Sequence, residues 1–254
     1  MMGPALTLAC EDGLATLTIS RPAAKNSLKL ADMKRLGELV DAAAREARCL
    51  VICGSGGVFC AGRDLAESDL QTEDSTTVIR EAIHPSIAAL HHCPIPTIAA
   101  VEGPALGFGL GIALACDLTF VADDALLGSP FRRIGCVPDS GAHWFIRERI
   151  GRHRALELIF GGRLISGREA AAIGLVNRSV GRADLPALVS ATARQIAQGP
   201  TLAFTASKQI IDAASLADTL EREAVAQGRA LRTADGREGI SAFLQKRQPV
   251  FRGA

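Results

Sequence analysis

The chain has 254 residues, 48% of them apolar, and a formal net charge of +1. That length suits one large domain or two small ones, and the apolar share is ample for a buried core. The near-neutral balance argues against a nucleic-acid groove or a membrane-attracted surface, so any basic patch for an anionic ligand must be local.

Met1-Met2-Gly3-Pro4 has neither a basic n-region nor an apolar h-region, which fits a soluble cytoplasmic protein. Leu6 to Ala9, a turn at Asp12-Gly13, and Leu14 to Ser20 read as paired strands. Leu30 to Ala47 has helical periodicity, with Met33, Leu36, Leu39 and Val40 on one face. Leu50 to Cys53 is a short buried strand ending at Gly54-Ser55-Gly56-Gly57. The polar segment Glu67 to Thr77 is expected to be mobile, and Val78 to His92 to be a helix ending before Pro94. Thr97 to Val101 is a strand, Gly103 to Gly107 a loop, Phe108 to Ala115 a helix and Leu118 to Ala122 a further strand. The apolar run Thr97 to Cys116 is broken by Glu102, Gly103 and Pro104, and its unbroken part is too short to span a bilayer.

Beyond Gly141 the chain turns helical. His143 to Ile150 and Arg154 to Phe160 form two helical stretches. Ser166-Gly167-Arg168-Glu169 fits a capping box ahead of Ala170 to Ile173, and Leu175 to Val180 reads as a last strand. Helices follow from Asp184, with Pro186 in a first turn and Gly199-Pro200 as a break. Repeated strand–loop–helix units indicate a stacked α/β body, taken as residues 1–195, followed by a helical region, 196–254. The seven cysteines, at 10, 49, 53, 60, 93, 116 and 136, form no CxxC pair and no zinc pattern. They read as small apolar fillers in a reducing compartment. His91-His92-Cys93 is a helix end before Pro94, or less simply a metal site.

Three segments carry chemistry. Phe59-Cys60-Ala61-Gly62-Arg63-Asp64-Leu65 and Gly103-Pro104-Ala105-Leu106-Gly107-Phe108-Gly109 are glycine-bearing loops. The N–H groups of Arg63 and Phe108 are the candidate anion donors: Gly62 permits a sharp turn, and Phe108 opens a helix. Two such donors converging on one oxygen make an oxyanion hole. The plainer alternative is that these glycines serve only tight turns. Gly107 to Gly111 after a strand also has the look of a dinucleotide loop, without the acid that should follow. The third segment, Ile134-Gly135-Cys136-Val137-Pro138-Asp139-Ser140-Gly141, places a carboxylate in a turn before a helix. Asp139 is either an acid/base for proton transfer or a cap of that helix.

These residues resemble, in family order, the crotonase or enoyl-CoA hydratase/isomerase superfamily. The matching elements are Arg21-Pro22 with Asn26-Ser27-Leu28, Phe59 to Leu65, Pro94 to Gly103, Ala115 to Leu118, Ile134-Gly135 with Pro138-Asp139, and Gly174-Leu175-Val176. The tail Gly236 to Arg247 and the Pro138-Asp139 turn are most similar to the branch that isomerises 1,2-epoxyphenylacetyl-CoA in phenylacetate breakdown. The resemblance implies a spiral of ββα turns, with C-terminal helices that assemble a homotrimer or hexamer. It implies an acyl-CoA thioester as ligand, coenzyme A being part of the substrate, with no separate cofactor or metal and no nucleic-acid or membrane partner. By position, Arg63 and Phe108 supply the oxyanion donors. Substrate-binding positions are Lys25, Ala61, Asp64, Leu65, Gly107, Phe131 and Lys246. Of these, Lys25 and Lys246 either meet CoA phosphates or are ordinary solvated lysines.

The resemblance also marks departures. Family hydratases carry one Glu at the position of Gly111 and a second at the position of Phe131; both acids are absent here. Hydration needs one group to activate water and another to manage the C2 proton, so a single Asp139 points to isomerisation of an acyl-CoA through a stabilised enolate. Phe131 and Val137 are expected to wall Asp139, the Phe108 ring to crowd the acyl pocket, and His143 to be a weaker candidate base. The alternative is a catalytically silent protein that binds acyl-CoA.

Overall fold

The computed structural model of the chain describes residues 4–67 and 73–254. The N-terminal hairpin pairs β1 (Leu6–Glu11) with β2 (Leu14–Ile19) through Asp12 and Gly13, both at positive φ. That is the two-residue turn whose twist matches flanking strands. In β2 the alternation predicted from sequence is realised: Ala15, Leu17 and Ile19 face the core. After α1 (Leu30–Glu46) comes β3 (Cys49–Gly54). Then α2 (Ser75–Val78), a π-helical turn at Ile79–Ile83, and α3 (His84–His91) run on from one another. Next in order are β4 (Thr97–Val101), β5 (Ala105–Leu106), α4 (Phe108–Ala115), β6 (Leu118–Ala122) and β7 (Leu126–Gly128). A 3-10 turn at Pro130–Ile134 leads to α5 (Ala142–Gly161), β8 (Ile165–Ser166), α6 (Gly167–Ala172) and β9 (Arg178–Val180). The chain finishes with α7 (Leu185–Ala197), α8 (Thr201–Ile211), α9 (Leu216–Ala230) and α10 (Ala234–Leu244).

Two sheets result. The larger has the order β1-β2-β3-β4-β6-β9, antiparallel at β1 and parallel elsewhere. Leu17, Ile52, Ala99 and Thr119 lie in one row across its middle. The smaller sheet, β5-β7-β8, pairs β5 with β7 in parallel and β7 with β8 antiparallel. On one side α1 buries Met33, Leu36, Leu39, Val40 and Ala43, and on the other α7 docks against β2, β3, β4 and β6. Every residue of α4 is buried, as expected for a helix apolar all round.

Several boundaries differ from those read in the sequence. Helix begins at Ser75, because the Asp74 carboxylate accepts the N–H groups of Thr76 and Thr77 and so caps it. Of the segment expected to be mobile, residues 68–72 lie outside the described residues. The two helical stretches after Gly141 are joined at Gly151, whose φ of 77° and ψ of 164° break α5 in two. Ser166 does cap α6 by accepting the Glu169 N–H. The Glu169 carboxylate, however, pairs with Arg163 rather than closing the box. The last strand is shorter than expected, starting at Arg178, and the boundary placed after residue 195 falls inside the final turn of α7.

Four cysteines are buried and Cys53 is half-buried, but Cys10 and Cys136 are exposed, so the filler reading does not extend to those two. Among the described residues no three His, Cys, Asp or Glu side chains cluster as a metal site, and no helix is long and apolar enough to cross a membrane.

Candidate active site

The donor loops are built by two isolated parallel bridges. Cys60 bridges Ala105 through Cys60 N–H to Pro104 O (3.0 Å) and Leu106 N–H to Cys60 O (2.9 Å). Arg63 bridges Leu28 through its neighbours: Leu28 N–H donates to Gly62 O and Asp64 N–H to Leu28 O, both at 2.9 Å. This pairing leaves the Arg63 N–H pointing away from Leu28. Between the bridges, Gly62 takes φ +101°, and a Cβ there would lie 2.8 Å from Leu106 O and 3.6 Å from Phe108 N. The two loops are therefore in direct contact at the predicted donors. Phe108 is the first residue of α4, where the N–H has no acceptor within the helix. Neither the Arg63 nor the Phe108 N–H donates to an acceptor among the described residues.

Most residues that hold this geometry lie in the segments matched from sequence; Glu73 is the one the structure adds. Asn26, wholly buried, accepts the Arg21 N–H (2.7 Å) and donates to Ser55 O (2.9 Å) and Val58 O (2.7 Å). It thus ties the strand end before the loop to the Arg21-Pro22 turn. Lys25, exposed at φ 52°, accepts the Ala61 N–H through its carbonyl (3.0 Å), which brings Lys25 and Ala61 side by side. The Asp64 carboxylate takes the Arg21 guanidinium at 2.9 Å, and Leu65 next to it is exposed. The Arg63 side chain pairs with Glu73 just ahead of α2, both mostly buried. Lys246 stands exposed beyond the end of α10, and no hydrogen bond or ion pair among the described residues joins it to either loop. Burial pushes the Cys60 thiol up to about 12, which keeps it a neutral packing group rather than a nucleophile.

On the far side of α4 lies the carboxylate turn. Phe131 packs over Gly107, its ring 3.2 Å from where a Cβ would stand. Pro138 and Ser140 are buried, and Asp139 between them is half-buried. Ser140 Oγ donates to Asp139 Oδ1 at 2.7 Å, and the ring Nε2 of His84 on α3 lies 3.2 Å from Asp139 O. Since the acceptor is a carbonyl, that nitrogen carries the proton. Gly111, one turn along α4 from Phe108, is where this turn seats: a Cβ at Gly111 would lie 2.5 Å from Ser140 Cβ and 2.6 Å from Ser140 O.

Four expectations need correction. Asp139 is not a side-chain cap of α5, whose N-cap is Gly141 with no side-chain bond. Val137 is 74% exposed, because the chain is still leaving the 3-10 turn there, so it walls nothing. The Phe108 ring is 2% exposed and belongs to the core, since α4 is buried on every face; it does not stand in an open pocket. The dinucleotide alternative loses its ground because the glycines of that loop are accounted for by close packing within the protein. Cys60 O lies 2.1 Å from a Cβ built at Gly109, and Ser140 lies against Gly111. His143 is exposed on the first turn of α5.

The turn that carries Asp139 thus seats, through Ser140, on the helix whose first residue lies beside the Gly62 loop. The family model for enoyl-CoA hydratase/isomerase matches residues 9–254. The chain belongs to the enoyl-CoA hydratase/isomerase family. It is 38% identical over 245 residues to a probable enoyl-CoA hydratase of Rhodobacter capsulatus, covering 95% of each chain. It is 34% identical over 252 residues to the 1,2-epoxyphenylacetyl-CoA isomerase of Escherichia coli, covering 96% of each. Among solved structures, it superposes on an enoyl-CoA hydratase of Bacillus anthracis with a TM-score of 0.93 and 30% identity, covering 99% of this chain and 100% of that one. The crotonase-like α/β fold expected from the motifs is therefore the fold of this family member.

Proposed function

We propose that this family member is an acyl-CoA isomerase in which Asp139 moves a proton while the N–H groups of Arg63 and Phe108 hold the thioester oxygen. The observation that carries the reading is the seating of the Asp139 turn on the helix that begins with Phe108. With Gly and Phe at 111 and 131, Asp139 is left to work without the acids of the hydratases. Asp139 takes a C2 proton from a 3-enoyl thioester, and the freed electron pair runs into the carbonyl. The oxygen of the resulting dienolate sits between two fixed donors. The same carboxyl then returns the proton at C4, giving the 2-enoyl thioester. No metal, flavin or nicotinamide enters this sequence. A ring-modified aromatic acyl-CoA, the type of substrate named for the Escherichia coli relative, is the alternative substrate, its ring rearranging through an enolate held by the same two donors rather than by a C2-to-C4 proton shift. CoA lies along Ala61, Arg63 and Leu65, with Lys25 near its phosphates and Lys246 reaching them from a neighbouring helix.

The test uses the wild-type protein in deuterated water. With a 3-enoyl-CoA, double-bond migration with label entering C2 or C4 is expected, and a 2-enoyl-CoA should give little 3-hydroxyacyl-CoA. Rapid hydration would overturn the isomerase reading. Binding without migration or exchange would make the protein a silent acyl-CoA binder.

The same reading includes a homotrimer or hexamer. Its support is the apolar surface of the C-terminal helices: α9 buries none of its residues, a groove of about 450 Å³ opens between α8 and α9, and Ile211, Leu216 and Phe243 are exposed. Monomeric proteins rarely leave so much apolar surface open. Sedimentation equilibrium should give three or six copies; a monomer at micromolar concentration would count against it.

A further inference from the structure

Resting on the acid/base reading of Asp139, we propose that Ser140 is the positioning residue of that carboxylate, and that Gly111 is kept side-chain-free to seat it. Ser140 is 1% exposed, so its hydroxyl is out of reach of bulk water. A buried hydroxyl must find a partner within the protein, and this one donates to Asp139 Oδ1 at 2.7 Å. The bond engages one carboxyl oxygen and leaves Oδ2 to meet the substrate. A carboxylate free to rotate about its χ angles would present either oxygen at many angles, and misplacement on the ångström scale is enough to slow a proton transfer strongly.

The turn that carries this pair is fixed from three sides. Below, the Ser140 backbone and Cβ occupy the ground beside Gly111, where a side chain would overlap them at 2.5 to 2.6 Å. Behind, the His84 ring donates to the Asp139 carbonyl. Ahead, Gly141 takes φ +75° and starts α5 directly. Adjacent residues thus divide the work: Asp139 exchanges the proton, and Ser140 locks the carboxyl plane to the helix that presents the Phe108 donor. Hydroxyl and acid are neighbours in sequence, but the lock exists only because the α4 backbone approaches closely enough at Gly111 to shut Ser140 away from solvent.

The experiment compares Ser140→Ala and Ser140→Cys with the wild type, using a 3-enoyl-CoA deuterated at C2. Cys fills the seat but is a poor donor. Both variants are expected to lose about tenfold or more in kcat, the scale of one hydrogen bond to a charged group. KM and the affinity for product CoA thioester should stay within about twofold. The fraction of deuterium carried from C2 to C4 should fall, because an unpinned carboxyl exchanges with water before it delivers. A purely structural role would leave that fraction unchanged while lowering thermal stability. Full activity in Ser140→Cys with loss in Ser140→Ala would make the residue a packing group and overturn the proposal. Asp139→Asn separates the two levels. If that variant is inactive while both Ser140 variants keep wild-type kcat and label transfer, only the positioning role fails. If Asp139→Asn turns over normally, the acid/base reading fails first.

Discussion

Asp139→Asn is expected to lower kcat/KM for 3-enoyl-CoA isomerisation by roughly 10²–10⁴, the usual contribution of one positioned acid/base. The substitution is sterically mild. The Asn side chain keeps an oxygen that can accept from Ser140 Oγ, so the 2.7 Å bond has a counterpart in the variant. The His84 contact goes to the backbone carbonyl and is untouched. What disappears is the capacity to take and return a proton. Melting temperature and acyl-CoA affinity should therefore stay close to wild type while exchange at C2 in deuterated water stops. In energetic terms a thousandfold loss corresponds to about 4 kcal/mol of transition-state stabilisation. Stopped-flow measurement of the 2-enoyl product, with exchange followed by mass spectrometry, reads both. Turnover within about twofold of wild type would sink the assignment, because a group that exchanges the transferred proton cannot be replaced by an amide at no cost.

Much of the scaffold can be read from single segments. The Asp12-Gly13 turn, the alternation of Ala15, Leu17 and Ile19, and the apolar face of α1 are local signals, and they appear where the sequence puts them. The small sheet is different: β5, β7 and β8 are two or three residues each, too short to carry a period, and they exist because Ala105, Leu127 and Ile165 find partners across the fold. The site divides along the same line. Gly62, Gly107 and Asp139 stand out as residue types, whereas the direction of a side chain does not. Sequence identifies a phenyl at 108 but not that α4 turns it into the core, nor that Val137 swings outward. The pairing of Arg63 with Glu73, the His84 bond and the seat of Ser140 at Gly111 are all contacts between distant segments. Gly111 shows this most clearly: in the sequence it is a missing acid, and in the structure it is a space already taken by Ser140.

A second large effect is expected at Gly109, a residue that touches no substrate atom in the proposed mechanism. A Cβ there would lie 2.1 Å from Cys60 O and 2.8 Å from Cys60 Cβ. Cys60 O already accepts Leu106 N–H at 2.9 Å, within the bridge that holds the two donor loops together. In Gly109→Ala the methyl can be admitted only if α4 and the 59–65 loop move apart. The helix has little freedom to retreat, since all its residues are buried. The gap between the Arg63 and Phe108 N–H groups therefore widens. Overpacking of this kind costs about 1–3 kcal/mol, and a shift of about 1 Å in a catalytic donor costs about 10²-fold in rate. The expected outcome is a protein that folds with a lower melting temperature and loses about a hundredfold in kcat/KM, most of it in kcat. Gly37→Ala in α1 is the matched control. Its Cβ would meet Ser86 and Ala89 at 3.6 and 3.7 Å, an ordinary contact, so activity should be unchanged and stability equal or slightly higher. If Gly109→Ala kept wild-type kcat/KM, the two N–H groups would not be acting as a fixed pair, and the oxyanion would have to be held some other way.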